Sequence, residues 1–193
     1  MYLDSIQKIA DEAASNGSRI TTFGTQLYGK AVHIAPEAWL HVFHQGLSLE
    51  QIRSIEDKLG KRLPVSLASF FTSYNGLSIF SGSMSIFGVR WVGERQGDAA
   101  WQPFDIFGPN TFEKPRGTPA SQLCIGAYFY DGSRLVVDTE SSAVFRVPHR
   151  SSAPVLNEWK DFDQMMSMEI QRLSELFDDQ GRLIDPQAVT SPG

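Results

Sequence analysis

Apolar residues recur at helical spacing in several stretches and then give way to alternation. Leu3, Ile6, Ile9, Ala10 and Ala13 fall on one face of a short helix that Asn16-Gly17-Ser18 ends as a turn. Residues 19–35 carry no clear period and read as a strand or an extended arm. Pro36 and Gly46 bracket a second helix over Glu37 to Gln45. Ser48-Leu49-Glu50-Gln51 forms a capping box, followed by the stripe Ile52, Ile55 and Leu59, with Gly60 as the stop. Leu63-Pro64 opens another helix, with Leu67, Phe70, Phe71 and Tyr74 within a narrow arc and Asn75-Gly76 at its end.

From Leu77 the period shortens to two. Leu77–Ser81 and Met84–Val89 flank Gly82-Ser83, which fits a two-residue hairpin turn. Leu123–Tyr130 and Ser133–Asp138 flank Asp131-Gly132, a pair suited to a type I′ turn, and Ala143–Val147 adds a further strand. Trp159, Phe162, Met166, Ile170, Leu173 and Phe177 then mark a closing helix over residues 157–177, followed by a frayed tail over residues 178–193. Helices, a meandering sheet and a final helix predict a single α+β domain. We expect an antiparallel or mixed sheet of about five to six strands, covered by N-terminal helices and the closing C-terminal helix.

The ordered set Ile52-x-x-Ile55-Glu56-x-x-Leu59-Gly60-x-x-Leu63-Pro64, Phe70, Asn75-Gly76, Ile86-x-Gly88, Ile125-Gly126, the Asp131-Gly132 turn and the aromatic last helix resembles the SUKH superfamily. That superfamily includes bacterial immunity proteins and fungal cell-wall-synthesis regulators. The resemblance covers residues 48–177 and leaves residues 1–47 as an N-terminal helical extension and residues 178–193 as a flexible tail. Glu56 falls inside or beside the apolar arc of its helix, so its carboxylate must find backbone N–H groups or a cation. The unsatisfied N–H groups at the start of the Pro64 helix are the candidates. We read Glu56, Leu63, Pro64, Phe70, Asn75, Gly76, Gly88 and Gly126 as residues of the scaffold; the alternative for Glu56 is a carboxylate with a raised pKa that does chemistry.

Composition narrows the function. In 193 residues there is one cysteine, Cys124, so no internal disulfide forms and a reducing compartment is expected. No basic leader and no long apolar run occurs, so neither a signal peptide nor a membrane partner is expected. A net charge of −5, with the deficit in the last third of the chain, argues against nucleic acid and for a basic protein partner. GxGxxG, Walker A, HExxH, GxSxG and CxxC are all missing. Glu37, His41 and His44 share a helical face that suits a metal, but that face lies opposite Trp39, Leu40 and Phe43 and reads as a solvated one. Cys124, between Leu123 and Ile125, reads as a buried strand thiol rather than a nucleophile. Asp161-x-Asp163 resembles a metal-binding pair and reads instead as surface acids favoured by a helix N-terminus. No catalytic residue, cofactor or metal is expected.

The stretch from Gly93 to Pro119 is rich in glycine and proline yet carries Trp101, Phe104, Ile106, Phe107 and Phe112. Aromatic residues in so long an excursion either pin it to the body or anchor a partner. Candidate partner-binding residues are therefore Trp101, Phe104 and Phe107, with Asp161 and Asp163 from an acidic last helix that also carries Glu158, Glu169, Glu175, Asp178 and Asp179. The resemblance implies a cytoplasmic immunity protein that occludes a cognate protein toxin, a nuclease being the class whose basic cleft suits an acidic binder. The rivals are a regulatory scaffold of the fungal type and a small enzyme using Glu56, the histidines or Cys124.

Overall fold

The computed structural model describes residues 2–91, 93–115 and 117–193. Among them, α1 (Tyr2–Ala14) leads into strands β1 (Ser18–Ile20), β2 (Gln26–Lys30) and β3 (Trp39–Gln45), then helices α2 (Leu49–Leu59) and α3 (Val65–Ser73). Strands β4 (Tyr74–Ile79) and β5 (Met84–Ile86) follow. A long excursion then holds a 3-10 turn (Gly97–Ala100) and the short α4 (Phe107–Asn110). The chain finishes with β6 (Gln122–Tyr128), β7 (Arg134–Asp138), β8 (Val144–Val147), β9 (Asn157–Trp159) and α5 (Phe162–Ser174). The strands pair in chain order, each antiparallel to the last, so the described residues form a nine-stranded meander within a single α+β domain. No helix among them is long and apolar enough to cross a membrane.

Directly paired residues share a face. Phe43, Leu77, Ile86, Gly126 and Leu135 lie on a common register line and face the helices. There Phe43 meets Tyr74, Tyr74 meets Phe70, and Phe70 lies 5.1 Å from Phe162 of α5. Tyr2 of α1 closes this aromatic cluster edge-on to Phe162 at 5.9 Å. The opposite face carries Val42, Ser78, Ser85, Ala127 and Arg134, with Ser78 Oγ and Ser85 Oγ 2.9 Å apart.

The sheet is larger than the five to six strands expected. The difference lies at the N-terminal end, where the segment up to residue 47 supplies three strands, and at β9. Residues 39–45 form β3 rather than a helix. Trp39, Leu40 and Phe43 satisfy a helical stripe, but a strand buried on both faces shows no alternation, and six of its seven residues here are buried or nearly so. His41 and His44, expected on a solvated face, are consequently interior. The Phe80 N–H donates to His41 Nδ1 at 3.3 Å, and His44 Nδ1 lies 3.2 Å from Thr25 Oγ1.

Other boundaries shift for local reasons. α3 ends at Ser73, and Asn75-Gly76 belongs to β4 instead of capping the helix. The β4–β5 turn spans Phe80–Ser83, with positive φ at Phe80 (49°), Ser81 (55°) and Gly82 (88°). The β6–β7 turn is likewise longer than two residues: the Tyr128 N–H donates to the Ser133 carbonyl, and Gly132 alone of Asp131-Gly132 takes positive φ. The last helix starts at Phe162 because Asp161 is its N-cap, its carboxylate accepting the Gln164 N–H at 2.8 Å.

The tail expected to fray folds back. Arg172 donates to the Thr190 carbonyl at 2.7 Å, Arg146 donates to the Pro192 carbonyl, and Asn157 Nδ2 donates to that of Gly193 at 2.9 Å. Arg146 also pairs with Asp131. Burial pushes that carboxyl up, but hydrogen bonds from Ser133 and Arg146 outweigh it and hold it at about 2. Glu169, expected among the solvated acids of α5, is buried and paired with Arg172 at 2.7 Å.

Two asparagines position the excursion. Asn75 Nδ2 donates to the Val89 carbonyl at 2.8 Å and its Oδ1 accepts the Val89 N–H at 2.7 Å. Asn110 treats Cys124 alike, at 2.7 Å and 2.8 Å. Each amide stands in for the peptide group of a missing strand partner. The first clamp requires Gly88, where a Cβ would sit 2.2 Å from the Asn75 backbone oxygen.

Asn75→Ala leaves both Val89 backbone groups without partners in a buried site, and we expect a loss of about 2–4 kcal/mol in urea unfolding. Gln7→Ala, at an exposed helical pair, should change stability by less than about 0.5 kcal/mol. Burial pushes the His41 and His44 imidazoles down from 6.5 to about 3 and about 4. Because the folded values lie below the unfolded one, the stability from keeping these rings neutral is complete above pH 6.5. It is lost as pH falls toward 4 and then 3. The thermal midpoint should drop across that window, and less steeply in His44→Gln.

Candidate functional site

The excursion runs over the open face of the sheet and is fastened along its length. Asp98 accepts from the Arg19 guanidinium and from the Thr22 N–H, at 2.7 Å for the latter, tying it to the β1–β2 hairpin. Thr25 Oγ1 donates to the Trp101 carbonyl at 2.9 Å. The Gly88 N–H donates to the Phe104 carbonyl and the Ile106 N–H to that of Gly88, each at 2.8 Å. Ile106 is fully buried while its neighbour Phe104 points outward, so the backbone that carries Phe104 is held from both sides.

This mounting leaves an aromatic ridge. Phe104 is 49% exposed and Phe129, from the β6–β7 turn, 55% exposed; their ring centroids lie 5.3 Å apart. Phe87 supports Phe104 from below at 6.3 Å. A groove lies on each side. One, of about 390 Å³, runs between the ridge and Trp101 over Val42 and Ser78. The other, of about 550 Å³, is floored by Ala127 and walled by Phe112 and the arginines 90, 95 and 134. Small residues on the sheet face (Ser78 under one groove, Ala127 under the other) leave the room that makes these depressions.

The expected contact residues separate. Trp101 and Phe104 belong to this face. Phe107 does not: it is half-buried in α4, packed against the core with Lys58 Nζ 5.4 Å above its ring. Asp161 caps α5 on the helical side, and Asp163 lies in the same first turn, its carboxyl pushed up by partial burial and by Asp161. Burial and then Asp163 push the nearby Tyr2 phenol up to about 12. Phe129, Arg90, Arg95 and Arg134 were not singled out by the sequence. The adjacent aromatics Phe129-Tyr130 before a turn, both exposed, were the available signal.

The scaffold residues cluster inside. Glu56 Oε1 accepts the Leu63 N–H at 2.9 Å and Oε2 takes Arg62 at 2.6 Å, which fixes the bend between α2 and Pro64, the N-cap of α3. Gly76 and Gly126 allow close strand approach, since a Cβ would meet the Ile86 oxygen at 2.7 Å and the Ser85 oxygen at 2.4 Å respectively. Phe70 lies at the centre of the helical core.

These groups have little chemistry to offer. Burial pushes the Cys124 thiol up to about 11, so it stays protonated at neutral pH. Glu37 is exposed in a turn, away from His41 and His44, and no group of three or more metal-ligating side chains occurs among the described residues. What the arrangement presents is exposed aromatics on a hydrogen-bonded backbone, flanked by two grooves and guanidinium donors.

No curated protein sequence matches the chain. The sequence profile of the SMI1 / KNR4 family (SUKH-1) matches residues 46–168, from the end of β3 into α5. That span holds Glu56, both asparagine clamps and the whole excursion. The chain belongs to the SMI1 / KNR4 family (SUKH-1), whose members are characteristically non-catalytic binding proteins.

Proposed function

We propose that this chain is an immunity protein that neutralises a cognate protein toxin in the cytoplasm by stoichiometric binding, and that the open sheet face is its contact surface. The observation that carries the reading is the exposed Phe104–Phe129 ridge on a backbone held by buried hydrogen bonds. Large aromatics presented without conformational freedom are the usual anchors of a tight interface. Trp101 and Phe104 supply two of them, with a groove between to receive partner side chains. Residues 48–177 carry the scaffold in this reading. The N-terminal segment joins the contact face through Thr25, which holds Trp101 in place. Asp161 and Asp163 lie on the helical side and take no part in the contact.

The test is co-expression with a toxin encoded beside the chain's own gene, with growth and complex affinity as readouts. The chain should restore growth. Phe104→Ala and Trp101→Ala should each weaken the complex by about 10–100-fold. Phe104→Ala should leave the unfolding free energy within about 0.5 kcal/mol of the parent, as a half-exposed position allows. Asp161→Ala should cost about 1 kcal/mol of stability, from the lost helix cap, and leave the affinity unchanged. Full affinity in both aromatic variants would move the contact off this face.

A further inference from the structure

The two grooves beside the aromatic ridge differ in charge. The larger one is rimmed by Arg90, Arg95 and Arg134, with the exposed His149 beside them, against two carboxylates, Asp105 and Glu113. Arg90 and Arg95 also line the adjoining depression of about 420 Å³. Among the described residues none of these three guanidinium groups forms an ion pair or donates a hydrogen bond. Arg134 holds its guanidinium carbon 5.8 Å from the centre of the Phe87 ring, a cation–π contact that leaves its N–H donors open. By contrast, Arg146 on the opposite face has each of its nitrogens hydrogen-bonded. Open arginines on a chain of net charge −5 are a local excess of positive charge against the general field of the molecule.

Between the guanidinium groups the groove is apolar. Ala127 forms its floor, with Phe104, Phe112 (84% exposed) and Phe129 standing along its walls. A ligand that matches this lining carries carboxylates to pair with the arginines and apolar side chains to lie among the rings. An extended polypeptide segment does both, because successive side chains point to opposite sides. A nucleic-acid strand matches it less well, since it carries a phosphate at every residue past Asp105, Glu113 and the acidic body.

We propose that the groove between Phe104, Phe129 and Arg134 receives an extended acidic segment of the protein partner, its carboxylates held by Arg134, Arg90 and Arg95 and an apolar residue seated between Phe104 and Phe112. This rests on the binding-protein reading above and adds the chemistry of the partner element. It also places that element outside any basic catalytic cleft of a nuclease toxin, since a basic segment would meet the three arginines.

The full chain is panned against a displayed random-peptide library, and the selected peptides are synthesised and measured by fluorescence anisotropy. The expected result is enrichment of Asp and Glu with at least one aromatic or large aliphatic residue. Affinity should fall as salt rises and be lost by at least about tenfold in the double variant Arg90→Glu, Arg134→Glu. Arg95→Glu, at an exposed position, should weaken the same peptides with unchanged circular dichroism. Arg53→Glu on α2 should not. Selection of basic or uncharged peptides, of none, or of acidic peptides that the charge-reversed variants still bind, overturns the proposal. So does tighter binding of oligodeoxythymidylate than of the selected peptides. The toxin co-expression assay keeps the two readings apart. Growth rescue that survives both charge-reversed variants overturns the groove and leaves the immunity function standing. Failure of the parent chain to rescue, with acidic peptides still bound through the arginines, overturns the immunity function alone.

Discussion

The side-chain amides of Asn75 and Asn110 decide what the outer face of this protein looks like. Where β5 ends, the chain must leave the sheet, and the N–H and C=O of Val89 would enter the interior without strand partners. Asn75 supplies both a donor and an acceptor at that point, and Asn110 does the same for Cys124 where the excursion comes back onto β6. An unmade bond at either place would cost the desolvation of a buried polar group. With both made, a long irregular segment is fixed at its two ends as firmly as a strand. Gly88 follows from the same constraint, because the clamp closes only where no Cβ intervenes.

Much of this was legible in the chain itself, and the gaps have specific causes. The capping box at Ser48 and the left-handed Gly60 are local devices, complete within a few residues, and they stand where the spacing places them. Glu56 could be read as a carboxylate in need of N–H donors, because an acid inside an apolar stripe has few other solutions. β3 was misread because burial on both faces removes the alternation that distinguishes a strand, leaving Trp39, Leu40 and Phe43 to imitate a helix. The tail was misread because its attachments run from Arg146, Arg172 and Asn157 to main-chain carbonyls, which leave no mark on the sequence of the tail. At the candidate site Trp101 and Phe104 stood out by composition. Phe129 did not, since only the folded sheet brings the β6–β7 turn beside the excursion.

The scaffold residues and the proposed contact face lie on different sides of the sheet. Glu56, Phe70, Gly76 and Gly126 act on backbone geometry or the core between sheet and helices. The ridge, the grooves and the open arginines lie on the far side, borne by the β6–β7 turn, the start of β7 and the outward-facing side chains of an excursion that Ile106 pins to the core. Side chains there can change in size and charge while the asparagine clamps hold the backbone path. Such a division lets loop side chains vary on a body that positions them.

The meander has a kinetic side. Every strand pairs with its neighbour in sequence, so most closures of the sheet are short; β3–β4 closes over α2 and α3, and β5–β6 closes over the excursion. The helical layer is the reverse: α1 and α5 come from opposite ends of the chain, and Tyr2 finds Phe162 only after everything between has been made. During synthesis α1 can therefore settle on β2 and β3 early, while the part of its apolar stripe that meets α5 waits until the last helix has left the ribosome. The sheet can assemble strand by strand as it emerges, and the docking of α5 then seals the core.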